Sequence, residues 1–159
     1  MKKSRALFLA FLLAAPPAFA ELGFGGQASA WLSESPYFGP ALLFSATRRI
    51  HLSLDYGFDL LTPYNRHVSV CADYWLFSTR VADFGAGSGR LHLFCGPGVF
   101  LNIARAVGGG IRVPIGVEYT IRRMDFFLQV APSVMFLSTG GGSSDWFTLA
   151  VAFGSRWWF

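Results

Sequence analysis

The last thirteen residues of the chain alternate between two kinds of side chain. One parity of this segment, from Phe147 to Phe159, is oily except at Ser155, and the other is small or polar apart from Trp158. A β-strand sends successive side chains to opposite faces, so the pattern predicts a strand with one apolar and one polar face. The apolar face of such a strand must meet either lipid or a protein core.

The end of this strand and the composition both favour lipid. A last strand that closes on an aromatic residue is typical of bacterial outer-membrane β-barrels, where the terminal residue, here Phe159, also acts as an assembly signal. Only 14% of the chain is charged and 53% is hydrophobic, whereas soluble domains carry about 25% charged residues. We therefore expect a protein of the cell outer membrane in a Gram-negative-type envelope.

The first twenty residues have the features of a secretory signal peptide. A basic start is followed by an apolar stretch over 6–15 and by the small-x-small site Ala18-Phe19-Ala20. We predict a cleaved signal at 1–20 and one barrel domain at 21–159. No apolar run reaches the roughly 18 residues that a spanning helix needs. Three of the 13 basic residues leave with the signal, so ten remain against nine acidic ones, and the charge gives no support for nucleic-acid binding.

Alternation divides the mature chain into eight segments, at about 22–32, 38–46, 50–60, 68–77, 91–103, 111–121, 126–136 and 147–159. This number and length predict an all-β fold, an eight-stranded antiparallel up-and-down transmembrane β-barrel. With both chain ends in the periplasm, the periplasmic connections hold Arg48-Arg49, residues 82–89 and Arg122-Arg123. The outer loops centre on 33–36, 62–67, 104–110 and 138–145, which is short for outer-membrane loops.

A soluble alternative is a secreted sandwich or a lipocalin-like barrel, whose oily parity would face inward. The opposite parity holds most of the strand charges, but it is rich in Gly, Ala and Ser and poor in Lys and Glu. That composition suits a narrow filled interior better than a solvated surface. The membrane barrel is therefore the favoured interpretation.

Four segments carry a resemblance to a known family. They read LHLFCGPGV at 91–99, GIRVPIGVEY at 110–119, MDFFLQVAP at 124–132 and AFGSRWWF at 152–159. This part of the chain, about 50–159, resembles a small outer-membrane barrel family of spirochaetes whose function is unknown and whose fold is similar to the transmembrane domain of OmpA. Gln129 and Cys95 depart from that family's pattern, which has an acidic residue and more often a Tyr there. The resemblance implies fold and location, and it implies no reaction and no ligand.

Charged and histidine side chains on the inward parity are the strongest candidates for a functional site. These are His51, Asp55, Asp59, Asp73, His92, Arg112, Glu118 and Arg156. Buried charges must be paired, so we expect the two arginines to neutralise Asp55, Asp73 and Glu118. The set then forms an internal plug in a lumen filled by side chains. The alternative is a gated proton path or a narrow conduit for ions or small solutes.

A second alternative is an enzyme that modifies lipid A or phospholipids. His51 and Ser53 form a His-x-Ser pair that is similar to a feature of lipid A deacylases. Such enzymes need these groups on the lipid face, whereas both residues here have the inward parity, where a nucleophile cannot reach an acyl chain. We therefore expect a non-enzymatic protein with a structural or surface-interaction role.

Arginines concentrate near the predicted periplasmic rim, at Arg48, Arg49, Arg122 and Arg123, with Arg80 and Arg90 around the longer connection. They are interpreted as solvated turn charges or, alternatively, as contacts for phospholipid head groups. The expected partners are outer-membrane lipids, the barrel-assembly machinery during insertion and an extracellular partner. Aromatic girdles are expected at Trp31, Tyr37, Tyr64 and Trp146 at the outer rim and at Trp75, Trp157 and Phe159 at the inner rim.

Metal and cofactor sites have no support in the sequence. His51, His67 and His92 lie on three different segments, without the close spacing of a zinc site. Cys71 and Cys95 have opposite parities on neighbouring strands, which argues against a disulfide. We expect no metal and no cofactor.

Overall fold

The computed structural model describes residues 21–33, 36–61, 66–85, 88–103, 107–139 and 146–159. The predicted signal peptide and the central parts of the predicted outer loops lie outside these residues. The described chain contains eleven β segments: β1 Gly23–Leu32, β2 Tyr37–Ser45, β3 Ile50–Asp59, β4 Arg66–Tyr74, β5 Phe77–Asp83, β6 Arg90–Cys95, β7 Gly98–Ile103, β8 Val107–Arg112, β9 Ile115–Ile121, β10 Met124–Ser138 and β11 Phe147–Trp158. No helix among the described residues is long and apolar enough to cross a membrane.

The eleven segments make eight antiparallel strands. Three strands are each divided by a two-residue break, so β4 continues as β5, β6 as β7, and β8 as β9. The hydrogen-bonded order β11-β1-β2-β3-β4-β7-β8-β10 closes into a ring because β10 also pairs with β11. The predicted eight-stranded antiparallel barrel is confirmed. We call the end where Glu21 and Phe159 lie the terminal end, and the opposite end the far end.

The pairing register fixes how strongly the strands tilt. A continuous row of paired residues starts on the last strand and returns to it after one turn of the barrel, through Trp158, Gly23, Ser45, His51, Asp73, Gly98, Arg112, Ser133 and Thr148. The row returns ten residues away from its start (158 − 148). Ten residues of about 3.3 Å against eight strand spacings of about 4.8 Å correspond to a tilt of about 40°.

Three prolines lie at the same level of neighbouring strands, two of them in strand breaks and the third, Pro132, within β10. The amide of Tyr74 donates to the carbonyl of Pro97 at 2.8 Å, Gly96 donates to Pro114 at 3.2 Å, and Val113 donates to Pro132 at 3.0 Å. A proline has no N–H for the ladder but keeps its carbonyl acceptor. The Pro residues of three of the segments that carry the family resemblance therefore lie side by side in the folded barrel.

Polar residues point into the barrel and apolar residues point out. Leu42 and Phe153 are 58% and 60% exposed on the outer surface, whereas Asp55, Arg112 and Arg156 are buried inside. A soluble barrel has the reverse arrangement, because exposed apolar surface of this extent is unfavourable in water. The fold therefore does not fit the soluble sandwich or lipocalin-like alternative.

The hairpin of β5 and β6 extends beyond the rest of the terminal end. β5 pairs only with β6, and almost all of its residues are exposed on both faces. The sequence prediction ended the fourth strand at Phe77, because a segment exposed on both faces has no alternation to detect. At the far end β8 begins at Val107, inside the predicted loop 104–110.

Candidate functional site in the barrel interior

A first buried network lies towards the terminal end and is centred on Arg156 of β11. Its Nη2 lies 2.5 Å from Oε1 of Glu118 on β9, and its Nη1 lies 2.5 Å from Nδ1 of His51 on β3. The guanidinium has donors only, so Nδ1 of His51 must accept. The imidazole proton is then on Nε2, which donates to the carbonyl of Arg48 at 3.2 Å. His51 is thus neutral and holds Arg156 in place.

Aromatic rings enclose the same guanidinium. Its Cζ lies 4.5 Å from the ring centre of Trp75, 4.9 Å from that of Phe127 and 5.5 Å from that of Trp158. Trp75 in turn stacks on Phe94 with ring centres 3.6 Å apart. The faces of aromatic rings attract a cation that has lost its water. Arg156, only 2% exposed, is therefore stabilised by both an anion and aromatic faces.

Asp125 of β10 belongs to this network and is absent from the sequence-based set. It is fully buried, it is the direct cross-strand partner of Arg156, and its Oδ2 accepts a hydrogen bond from Nε1 of Trp158. The seventh strand was predicted to begin at Phe126, two residues after the observed start of β10 at Met124. Continuing the inward parity of Phe127 and Gln129 by one step would have found Asp125.

A second buried network is centred on Arg112 of β8. Its Nε lies 3.2 Å from Oδ1 of Asp73 on β4, and its Nη1 donates to Sγ of Cys71 at 2.9 Å. Gly98 of β7 lies between the two charged residues and pairs with both. A Cβ on Gly98 would lie 2.1 Å from Oδ1 of Asp73. The missing side chain thus leaves the space through which this ion pair forms.

Asp55 is not an arginine partner, contrary to the expectation from the sequence. Its carboxylate accepts hydrogen bonds from Oγ of Ser29 at 2.5 Å, Oγ of Ser53 at 2.9 Å and Nε2 of Gln27 at 3.3 Å. Neutral donors therefore compensate the burial of this charge. Parity alone could not distinguish Asp55 from Asp73, since both face inward on adjacent strands.

A small cavity lies between the two networks. It measures about 10 Å³, and its lining includes His51 and Arg156 from the first network, Asp73 from the second, and Gln27 and Gln129. That is about the space one water molecule needs. Leu43, Leu52, Trp75 and Phe127 form the apolar part of the lining, so the networks approach each other across a gap with both polar and apolar walls.

The two remaining members of the sequence-based set are Asp59 and His92. Asp59 lies apart from both networks, whereas His92 is next to Glu118 of the first network. Asp59 is buried at the far-end limit of β3, where its Oδ1 accepts from the amide of Leu61 at 2.8 Å. His92 has the inward parity on β6 but is partly exposed, and its cross-strand neighbours are Arg80 and Glu118. The structure thus places these two residues near opposite ends of the barrel.

The rim arginines lie in exposed turns at the terminal end. Arg48 pairs with Glu21 and its Cζ lies 5.0 Å from the ring centre of Trp158. Arg49, Arg122 and Arg123 are exposed.

The amide of Phe159 donates to the carbonyl of Leu22 at 2.9 Å, while the Phe159 side chain is 73% exposed.

The girdle prediction is wrong for three aromatic residues. Trp31, Tyr37 and Trp75 are buried inside the barrel, whereas Trp146, Trp157 and Phe159 are exposed. The first three have the inward parity, so their positions near strand ends did not place them on the outer surface. Tyr64 lies outside the described residues.

Metal-binding clusters and disulfides are both missing from the part of the chain that the structure describes. It contains no group of three His, Cys, Asp or Glu side chains that could hold a metal ion. Cys71 and Cys95 are both free; Cys71 is buried and Cys95 is partly buried.

Comparison with known proteins identifies the class of fold. The sequence matches no protein-family model and no curated protein. The structure is similar to Neisserial surface protein A (NspA), with a TM-score of 0.51, 12% identity and coverage of 87% of this chain and 96% of that one. It also matches the N-terminal β-barrel domain of Pseudomonas aeruginosa OprF, with a TM-score of 0.46, 12% identity and coverage of 88% and 98%. The chain therefore has the fold of a small outer-membrane β-barrel.

Proposed function

We propose that the protein is a non-enzymatic outer-membrane β-barrel with a structural or surface-interaction role and a lumen closed by its own side chains. The outward apolar surface and the inward polar residues support the membrane location. The sequence resemblance to the spirochaete family agrees with this proposal. Membership of that family is also proposed. The proposed partners are outer-membrane lipids, the barrel-assembly machinery and an extracellular partner at the far end.

The observation that carries the closed lumen is the stacking of two buried networks along one interior. Each ion pair lies beside its own aromatic cluster: Cζ of Arg156 is 4.5 Å from the ring centre of Trp75, and Cζ of Arg112 is 5.6 Å from that of Trp31. The purified protein in a planar bilayer should give no steady current. A steady current through the native protein that increases further in the Arg112→Ala or Arg156→Ala variant would contradict the closed lumen. Heat-modifiable gel migration in outer-membrane fractions tests the location.

A narrow conduit is the second candidate, and the cavity between the networks favours it. His51, Asp73 and Arg156 all line this cavity, so one water there would link titratable groups of both networks. A conduit of this kind predicts proton flux into vesicles loaded with a pH dye. If the native protein gives no proton flux, the conduit is contradicted and the closed lumen remains the proposed state of the interior.

A lipid-modifying enzyme has no support in the interior geometry. Nδ1 of His51 is engaged by Arg156 and lies 2.8 Å from Oγ of Ser45, whereas Ser53 donates to Asp55. A nucleophile needs a base within hydrogen-bond reach and access to its substrate. Mass analysis of lipid A from cells with and without the protein should show the same species, and a deacylated species would revive the enzyme alternative.

A further inference from the structure

The terminal end of the barrel carries a strong excess of exposed arginine. Among the described residues, Arg48 pairs with Glu21, and Arg80 and Arg90 both pair with Asp83. The other exposed arginines of this end have no acidic partner in the described part of the chain: Arg49, Arg122 and Arg123. These three charges must therefore be neutralised by something outside the barrel or by solvent.

The turns that carry these arginines flank the end of the last strand. The amide of Trp158 donates to the carbonyl of Arg123 at 2.8 Å, and Arg48, next to Arg49 in sequence, lies over the ring of the same Trp158. Trp157 and Phe159 are exposed on the outward parity beside them. Exposed aromatic residues next to cationic side chains are typical of the membrane–water interface.

The backbone at Arg122 gives an independent indication. Arg122 and Arg123 form the two-residue turn between β9 and β10, and Arg122 has a φ of 54°. Only the first central residue of this turn has a positive φ, and glycine is preferred at such a position because a Cβ is disfavoured in the left-handed region. A strained residue is retained where its side chain has a use.

We propose that Arg49, Arg122 and Arg123 form a docking surface for the phosphate groups of anionic phospholipids in the leaflet at the terminal end. A guanidinium binds phosphate through two parallel hydrogen bonds, which an ammonium cannot do, and the chain has no lysine after Lys3. The inference rests on the proposed function, since only an inserted barrel presents these turns to a leaflet.

The test uses the folded protein in vesicles of phosphatidylcholine with about 30% phosphatidylglycerol. At this proportion the anionic lipid is in excess over the arginines. Spin-labelled forms of the two lipids report their relative association with the barrel. We expect phosphatidylglycerol to be preferred by about fivefold at low salt, the factor for one arginine near an anionic surface, and less at high salt. The triple variant Arg49→Gln, Arg122→Gln and Arg123→Gln should lose the preference.

The matched control is Arg66→Gln, because Arg66 is an exposed arginine at the far end. It should keep the preference, and an equal loss in this control would overturn the assignment to the terminal end. Free phosphate added to the native protein should not compete at millimolar concentration; effective competition would assign the site to the free ion and overturn the lipid proposal.

A second variant separates charge from fold. Arg122→Asn relieves the backbone at φ 54°, so its urea midpoint should rise while its phosphatidylglycerol preference falls. An unchanged preference in both this variant and the triple variant would overturn the docking surface alone. A protein that inserts into neither type of vesicle would instead contradict the proposed outer-membrane function.

Discussion

At the scale of single residues, Gly98 determines whether the second network can form. A methyl group there would lie 2.1 Å from Oδ1 of Asp73 and 3.0 Å from Cγ of Arg112. We therefore expect Gly98→Ala to lower the free energy of unfolding by about 1–3 kcal/mol through overpacking, measured by urea titration in vesicles. Gly26→Ala is the matched control, since its nearest contact is an ordinary 3.6 Å to the carbonyl of Ala41. Equal losses in the two variants would contradict the steric explanation.

Arg156 permits a second prediction at this scale. Arg156→Met keeps much of the side-chain volume but leaves Glu118 without its cation in the interior. Removing one partner of a buried ion pair costs about 3–5 kcal/mol, so the urea midpoint should fall sharply. Adding Glu118→Gln to Arg156→Met removes the unpaired charge and should recover part of the loss. A double variant that is no more stable than Arg156→Met would show that the pair does not act as a unit.

These residues also show what the sequence could predict about the site. Alternation assigns Asp55, Asp73 and Arg112 to the inward face, because each strand has a period of two. Alternation cannot assign the position of a residue along the barrel axis. That position depends on a register shift of ten residues, which only the closed barrel defines. For that reason Asp73 meets Arg112, whereas Asp55 is bonded to serine and glutamine side chains.

At the scale of elements, the protruding β5–β6 hairpin should be dispensable for folding. β5 is exposed on both faces and pairs only with β6. Replacing residues 81–91 by Asn-Gly would connect Arg80 to His92, its cross-strand partner, through a two-residue turn. The shortened protein loses two residue pairs with β9, so the free energy of unfolding should fall by only about 1–3 kcal/mol. Heat-modifiable migration should persist.

The base of the same hairpin should be intolerant of change. A Cβ on Gly96 would lie 1.9 Å from the carbonyl oxygen of Tyr74 and 2.6 Å from the amide nitrogen of Leu76. Both contacts are backbone atoms, which cannot move without opening the junction between the fourth and fifth strands. Gly96→Ala therefore serves as the opposing control, and it should lose heat-modifiable migration. If the shortened protein fails to fold and Gly96→Ala folds, the hairpin is required for folding and Gly96 is not, which would contradict both predictions.

At the scale of the whole molecule, closure uses both edges of the last strand. β11 pairs with β1 on one side and with β10 on the other. A partner that recognises this strand by strand addition must therefore act before the barrel closes. In the closed barrel the Phe159 side chain makes little contact and stays exposed, which separates a role in assembly from a role in stability.

Phe159→Ala makes this separation measurable. The refolded variant should have a free energy of unfolding within about 0.5 kcal/mol of the native value, as for most exposed positions, while its yield in outer-membrane fractions of cells should fall. Phe153→Ala is the matched control, because Phe153 is an exposed phenylalanine of the same parity on β11, which ends directly before Phe159. Its yield should stay close to native. If both variants lose yield equally, the loss reflects apolar surface rather than position, and Phe159 has no special role in assembly.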